Sequence, residues 1–158
     1  MASLRIVSCG HTGEHPIDDA VDGIPFAAHD LAARPGWLTD PQGRQLRYLR
    51  LSITDRCDLR CTYCMPDVGA PASAREDVLS LEEVVRVVRV FRELGVRTVR
   101  LTGGEPLVRR GIADLVRMIR YEVGIDDIAM TTNATVLEHV ARDLVDAGLL
   151  RINVSLDS

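Results

Sequence analysis

The sequence predicts an α/β fold: about four parallel strands alternating with three helices, curved into an incomplete barrel. Three observations carry this. Strand-like and helix-like periods alternate from Arg47 onward. Each strand is apolar on one face and polar on the other. Each chemically distinctive motif follows directly on a strand. Strand–helix alternation argues for parallel pairing and right-handed crossovers. An open sheet covered by helices on both sides would be apolar on both faces. A one-sided polar set instead suits a barrel wall that faces a ligand cavity.

The elements follow in order. Residues 47–54 alternate as a strand, with Leu49, Leu51 and Ile53 on one face and Arg50, Ser52 and Thr54 on the other. After a cysteine-rich loop, Ser80 and Glu83 form a capping box. They open a helix with Leu81, Val84, Val85, Val88, Phe91 and Leu94 on its apolar face, ending at Gly95. Residues 97–102 are the second strand, with Val99 and Leu101 opposite Thr98, Arg100 and Thr102. Residues 111–121 are a helix through Ile112, Leu115, Val116 and Ile119. Residues 127–131 are the third strand, ending in Thr131-Thr132-Asn133. Thr135 and Glu138 read as a second capping box, opening a helix that stops at Gly148. Residues 150–156 are the fourth strand, with Ile152, Val154 and Leu156 opposite Arg151, Asn153 and Ser155.

Residues 1–36 have no sustained period and carry His11, Gly13, His15, Pro16, Gly23, Pro25, Pro35 and Gly36. They read as a flexible N-terminal extension. His11 and His15 have the spacing of a helical metal pair, but Gly13 and Pro16 oppose a helix there, and solvated histidines are the better reading. Residues 37–158 read as the N-terminal part of a core domain. The net charge of −4 gives no signal for nucleic acid. No apolar run of eighteen residues crosses a membrane, and the N-terminus is not a secretory signal. Four cysteines, with only Cys9 remote, make a poor disulfide framework and fit a reducing cytoplasm and metal binding.

Cys57-x3-Cys61-x2-Cys64 carries the chemistry. A closed zinc site needs four ligands. Half of a zinc site is the rival reading, but no second Cys/His pair completes it. Three cysteines on a cubic iron–sulfur cluster leave one iron open to a small molecule. Asp58 and Arg60 read as solvated loop charges. Tyr63, between two ligands, would lie against whatever fills the open iron. Gly103-Gly104-Glu105-Pro106 follows the second strand. It is either plain turn punctuation or a place where backbone approaches a ligand and Glu105 meets an ammonium group. Arg50 and Arg100 share the polar face and form a clamp for phosphate or carboxylate. Arg109 and Arg110 read as surface charges. Thr131 and Ser155 place hydroxyls at the same level.

These residues together resemble the radical SAM family. The resemblance rests on Cys57-x3-Cys61-x2-Cys64 and Gly103-Gly104-Glu105-Pro106. It is strengthened by Leu49-Arg50-Leu51-Ser52-Ile53-Thr54-Asp55-Arg56, Thr131-Thr132-Asn133 and Arg151-Ile152-Asn153-Val154-Ser155-Leu156-Asp157. Within the family, it is nearest the branch that cyclises GTP at the start of molybdenum cofactor biosynthesis. The resemblance implies a [4Fe–4S] cluster on Cys57, Cys61 and Cys64, with S-adenosylmethionine on the open iron. It implies S-adenosylmethionine contacts at Tyr63, Gly104, Glu105 and Ser155, and GTP contacts at Arg50, Arg100 and Thr131. It further implies a lyase reaction: a 5′-deoxyadenosyl radical takes hydrogen from ribose C3′, and the ribose carbon closes onto guanine C8. An electron donor such as a flavodoxin or ferredoxin would serve it. Two departures stand out. The family's usual Thr-Thr-Asn-Gly is Thr131-Thr132-Asn133-Ala134 here, at a turn that can require positive φ. The chain also stops at the fourth strand, about half-way along family members, without their second cysteine triad. The exposed final strand would then call for a homo-oligomer or a complementing C-terminal chain. The rival functions are a non-catalytic, truncated module that binds cluster and S-adenosylmethionine, or another radical SAM reaction.

Overall fold

The computed structural model describes residues 5–8, 37–64 and 77–156. Cys9, His11, His15 and most of the 1–36 extension lie outside the described residues. One parallel sheet has the order β1-β5-β4-β3-β2. Its strands are β1 (Arg5–Ser8), β2 (Tyr48–Ser52), β3 (Thr98–Thr102), β4 (Asp127–Thr132) and β5 (Arg151–Val154). The four expected strands are β2 to β5, and they lie side by side in chain order. Three helices connect them: α1 (Leu81–Glu93), α2 (Ile112–Arg117) and α3 (Leu137–Asp146). This is the parallel α/β architecture that the sequence predicts.

β1 is a fifth strand, formed by residues that the sequence reading assigns to the flexible extension. It pairs in parallel with β5, Arg5 opposite Arg151 and Ser8 opposite Val154. The edge of β5 offers a row of backbone donors and acceptors, and Ile6 and Val7 are strand formers. Four residues are too few for a period to be recognised in sequence.

Register places the side chains. Arg50 lies opposite Arg100 across β2 and β3, and Thr131 lies opposite Asn153 across β4 and β5. Residues of the other parity, Leu49, Leu51, Val99, Leu101, Ile128, Met130, Ile152 and Val154, join one core with α1, α2 and α3. All three helices therefore cover the same face. Val99, Leu101, Ile128, Met130 and Ile152 are completely buried there. Each such side chain contributes about 1.5–3 kcal/mol. The opposite face carries Arg50 and Ser52 exposed, and Arg100, Thr131 and Asn153 half-buried.

The helix ends show where local rules apply and where they give way. Ser80 and Glu83 make the expected reciprocal capping box of α1, with Ser80 N–H donating to Glu83 at 2.7 Å. Beyond α2 the chain continues as a π-helical turn, Met118–Val123, closed by Gly124 at φ 78°. The capping box expected of Thr135 and Glu138 does not form. The residue flanking α3 is Val136, with no side-chain cap. The Thr135 hydroxyl turns instead toward Asn133 and Asp58. Before β2, residues 38–46 fold into a short hairpin, with Leu46 N–H donating to Leu38 O at 2.9 Å and Leu38 N–H to Leu94 O at 2.9 Å. Trp37 packs against Gly95, and the Arg47 guanidinium lies 5.7 Å from its ring centre.

Candidate functional site

Three loops leave the C-terminal ends of β2, β3 and β4, as parallel α/β folds lead one to expect. The first runs through Cys57, Cys61 and Cys64. All three are free thiols; Cys57 and Cys61 are half-buried and Cys64 is exposed. A turn closes with Cys64 N–H donating to Cys61 O at 3.0 Å, which draws these two cysteines toward each other. Arg60 donates to the Cys57 carbonyl at 3.0 Å and the Leu59 carbonyl at 3.2 Å. Among the described residues, no three His, Cys, Asp or Glu side chains stand close enough to hold one metal ion. The fit to a cluster therefore rests on the donor set. Three accessible thiols on one short loop are the ligands that iron–sulfur clusters take, and metal binding itself commonly gathers such ligands.

The second loop is clamped beneath the first. Gly104 N–H donates to Thr54 O and Glu105 N–H to Arg56 O, both at 2.7 Å. A Cβ on Gly103 would collide with the Thr54 carbonyl, and one on Gly104 with the Arg56 carbonyl. Gly103 also has φ 152°, a conformation favouring glycine. These glycines admit backbone to backbone, directly ahead of Cys57.

Glu105 is the residue that the sequence places least well. Its side chain is 1 % exposed. One carboxylate oxygen accepts from Leu107 N–H at 2.8 Å and Thr132 Oγ1 at 2.7 Å; the other accepts from Asn133 N–H at 2.7 Å. Both oxygens are thus engaged within the protein, whereas the sequence reading offers them to an ammonium group. Three donors are what a buried carboxylate requires.

The third loop, Asn133–Thr135, completes the junction. Ala134 has φ 65°, the one positive φ outside glycine among the described residues. The turn thus demands a left-handed residue where Ala stands. Asp58 reaches across to it. One oxygen accepts from Asn133 Nδ2 at 2.8 Å and the other from the Thr135 hydroxyl. The hydrogen bonds from Thr135 and then Asn133 hold the Asp58 carboxyl below its ordinary pKa. Asp58 is exposed, as a solvated loop charge is, but its bonds into the rim go beyond that reading. Arg109 likewise departs from the surface reading. It donates to the carbonyls of Ile53 and Leu79, tying the end of β2 to the entry of α1, and burial lowers its pKa. Neither role has a local sequence signal, because each partner is distant in the chain.

The polar strand face lies beside this rim. Arg100 Nη1 donates to Thr131 Oγ1 at 3.3 Å, and its guanidinium carbon is 5.9 Å from the Tyr48 ring centre. Arg100 Nε is buried and has no hydrogen-bond partner among the described residues. Arg50 stands exposed on the neighbouring strand. Ser155 follows β5, with its N–H donating to Thr132 O at 2.9 Å. Tyr63 is 73 % exposed. The structure thus places Arg50, Arg100 and Thr131 on one face, and the cysteine loop, Gly104, Glu105 and Ser155 around its upper end.

Residues 51–158 match the model of the radical SAM superfamily. The chain belongs to the radical SAM superfamily. Among curated relatives, the GTP 3′,8-cyclase of Peptoclostridium acidaminophilum is 50 % identical over 121 residues, and that of Syntrophomonas wolfei subsp. wolfei is 51 % identical over 121 residues. The match covers 77 % of this chain and 37 % of each relative. Among solved structures, Streptococcus suis SuiB bound to the precursor peptide SuiA superposes with a TM-score of 0.53 at 22 % identity, covering 69 % of this chain and 24 % of SuiB. BtrN in an open conformation superposes with a TM-score of 0.51 at 17 % identity, covering 70 % of this chain and 50 % of BtrN. These two establish the shared fold. Radical SAM proteins use a [4Fe–4S] cluster and S-adenosylmethionine, and so the cofactors of this chain are those two. No helix among the described residues is long and apolar enough to cross a membrane.

Proposed function

We propose that this chain carries the cluster, S-adenosylmethionine and GTP contacts of a GTP 3′,8-cyclase. The product of that lyase reaction is (8S)-3′,8-cyclo-7,8-dihydroguanosine 5′-triphosphate, in molybdopterin biosynthesis. The observation that supports the reading best is the junction of three rim loops beside a strand face bearing two arginines. Half-identity to cyclases over 77 % of the chain points the same way. When bound, the cluster and S-adenosylmethionine supply a radical that can take a hydrogen atom from an unactivated carbon.

The residues divide the remaining work. Cys57, Cys61 and Cys64 hold the cluster. Gly104, through its carbonyl, and Ser155, through its hydroxyl, line the S-adenosylmethionine position, since both of their N–H groups are engaged within the protein, and Tyr63 covers it. Glu105 serves that position by fixing the backbone of the Gly103–Pro106 loop, since its carboxylate is engaged elsewhere. Arg50 and Arg100 bind the triphosphate, and Thr131 orients Arg100. A buried guanidinium nitrogen without a partner favours an anionic ligand. The site's contribution to rate is positioning and exclusion of water. A flavodoxin or ferredoxin in the cytoplasm would deliver the electron.

Anaerobic reconstitution tests this directly. The wild-type chain should take up about four irons and show a spectral change with S-adenosylmethionine. Cys57→Ala, Cys61→Ala and Cys64→Ala should each abolish both. Stoichiometric zinc without a cluster would sink the reading. Because the chain spans 37 % of those cyclases, a radical-generating module without cyclisation is the second reading. With dithionite and GTP, 5′-deoxyadenosine without cyclised nucleotide would select it.

A further inference from the structure

We infer that Asp58 is a positioning residue whose carboxylate moors the cysteine loop to the Asn133–Thr135 turn, and thereby sets where Cys57 stands above the polar strand face. The inference rests on the cluster reading above and adds a residue that reading does not use. Asp58 follows Cys57 directly. The Cys57 thiol donates to Asp58 Oδ1 at 4.0 Å, within the loop, while the bonds from Asn133 and Thr135 bridge 75 and 77 residues of chain. The bonds of Arg60 to Cys57 and Leu59, and of Cys64 to Cys61, stay within the loop and cannot fix its place.

The mooring point is itself held by hydrogen bonds. Asn133 N–H is held by buried Glu105 at 2.7 Å, and Ala134 N–H donates to Thr132 Oγ1 at 2.9 Å. Thr135 N–H donates to Asn133 Oδ1 at 3.0 Å. Cys57 therefore lies between two fixed points: Arg56, whose carbonyl accepts from Glu105 N–H, and Asp58. Cys61 and Cys64 lie beyond the second point. Thr135 adds a separate indication. It stands where a helix cap is expected, yet its hydroxyl goes to Asp58 and Asn133, and α3 begins uncapped. Local rules give way in this manner where a site needs the side chain for something else.

Backbone hydrogen exchange in the metal-free chain reads the mooring without any cofactor. In Asp58→Ala, the amides of Cys64 and Thr135, which donate to Cys61 O and Asn133 Oδ1, should exchange about tenfold faster, while those of α1 and β3 keep their rates. Thr135→Val should act alike and add little to Asp58→Ala, as two ends of one contact do. Asp58→Asn keeps an acceptor for Thr135 and should stay within about threefold of wild type. In the reconstituted chain, the S-adenosylmethionine concentration for half-maximal change in the reduced cluster's electron spin resonance should rise about tenfold in Asp58→Ala and recover in Asp58→Asn. Unchanged exchange in Asp58→Ala overturns the mooring. Faster exchange with an unchanged response to S-adenosylmethionine overturns its role in placing Cys57. A wild-type chain that takes up no cluster overturns the cluster reading instead, because the exchange arm still reports on Asp58.

Discussion

On one face of the sheet, Val99, Leu101, Ile128, Met130 and Ile152 are sealed under three helices; on the other, Arg50 and Ser52 stand in solvent and Arg100 keeps a buried nitrogen without a partner among the described residues. The two faces share the same strands and differ only in residue parity. The difference teaches where each kind of free energy resides. The covered face holds the fold together through apolar burial. The open face leaves polar groups underused, which costs stability unless a ligand completes them. The rim joins the two, because Thr132 and Glu105 are buried yet bond to the loops above.

Substitutions at matched positions should separate these roles. Leu101→Ala, on the covered face, should lower stability by about 2–5 kcal/mol in chemical denaturation; a loss below about 1 kcal/mol would mean this face is not the principal core. Thr132→Val keeps the shape but removes a donor from buried Glu105 and an acceptor from Ala134 N–H. It should cost about 2–3 kcal/mol and loosen the Asn133–Thr135 amides in hydrogen exchange. Ser80→Ala, which undoes the α1 capping box, should cost about 1 kcal/mol. Ala134→Gly should raise stability by about 0.5–1 kcal/mol, because the left-handed conformation no longer strains a Cβ; a loss on that change would show the turn tolerates alanine freely. Arg100→Leu sharpens the contrast most. Its stability should stay within about 0.5 kcal/mol of wild type, while retention of GTP, measured by equilibrium dialysis, should fall about tenfold or more.

Much of this contrast is legible in the sequence. Alternation in 47–54, 97–102, 127–131 and 150–156 places Arg50, Arg100 and Thr131 on one face, and the structure has them there. The α1 capping box is legible because its two partners are three residues apart. The Gly-Gly-Glu-Pro and Thr-Thr-Asn motifs reach the same rim because both follow strands. What escapes is set by partners far along the chain. Thr135 has a local cap available and a distant carboxylate at Asp58, and only the fold shows that Asp58 prevails. Arg109 reads as a surface charge until the carbonyls of Ile53 and Leu79 are brought beside it. Glu105 looks like a free rim carboxylate because its three donors come from Leu107 in its own loop and from β4 and the turn after it. β1 is too short to announce itself, and the edge it fills is created only when β5 is in place.

That edge has a kinetic consequence. β2 to β5 each pair with the next strand along the chain, across loops that a helix helps to close. β1 pairs with a strand almost the full length of the chain away, Arg5 beside Arg151. Closing so long a loop has the greatest entropic cost of any pairing in the sheet, and contacts of that separation form late. With four residues of pairing to hold it, β1 should be the last strand to join and the first to open, and an opening would expose the edge of β5. Any strand that adds to this sheet beyond β5, from whatever source, competes for the place that β1 takes there.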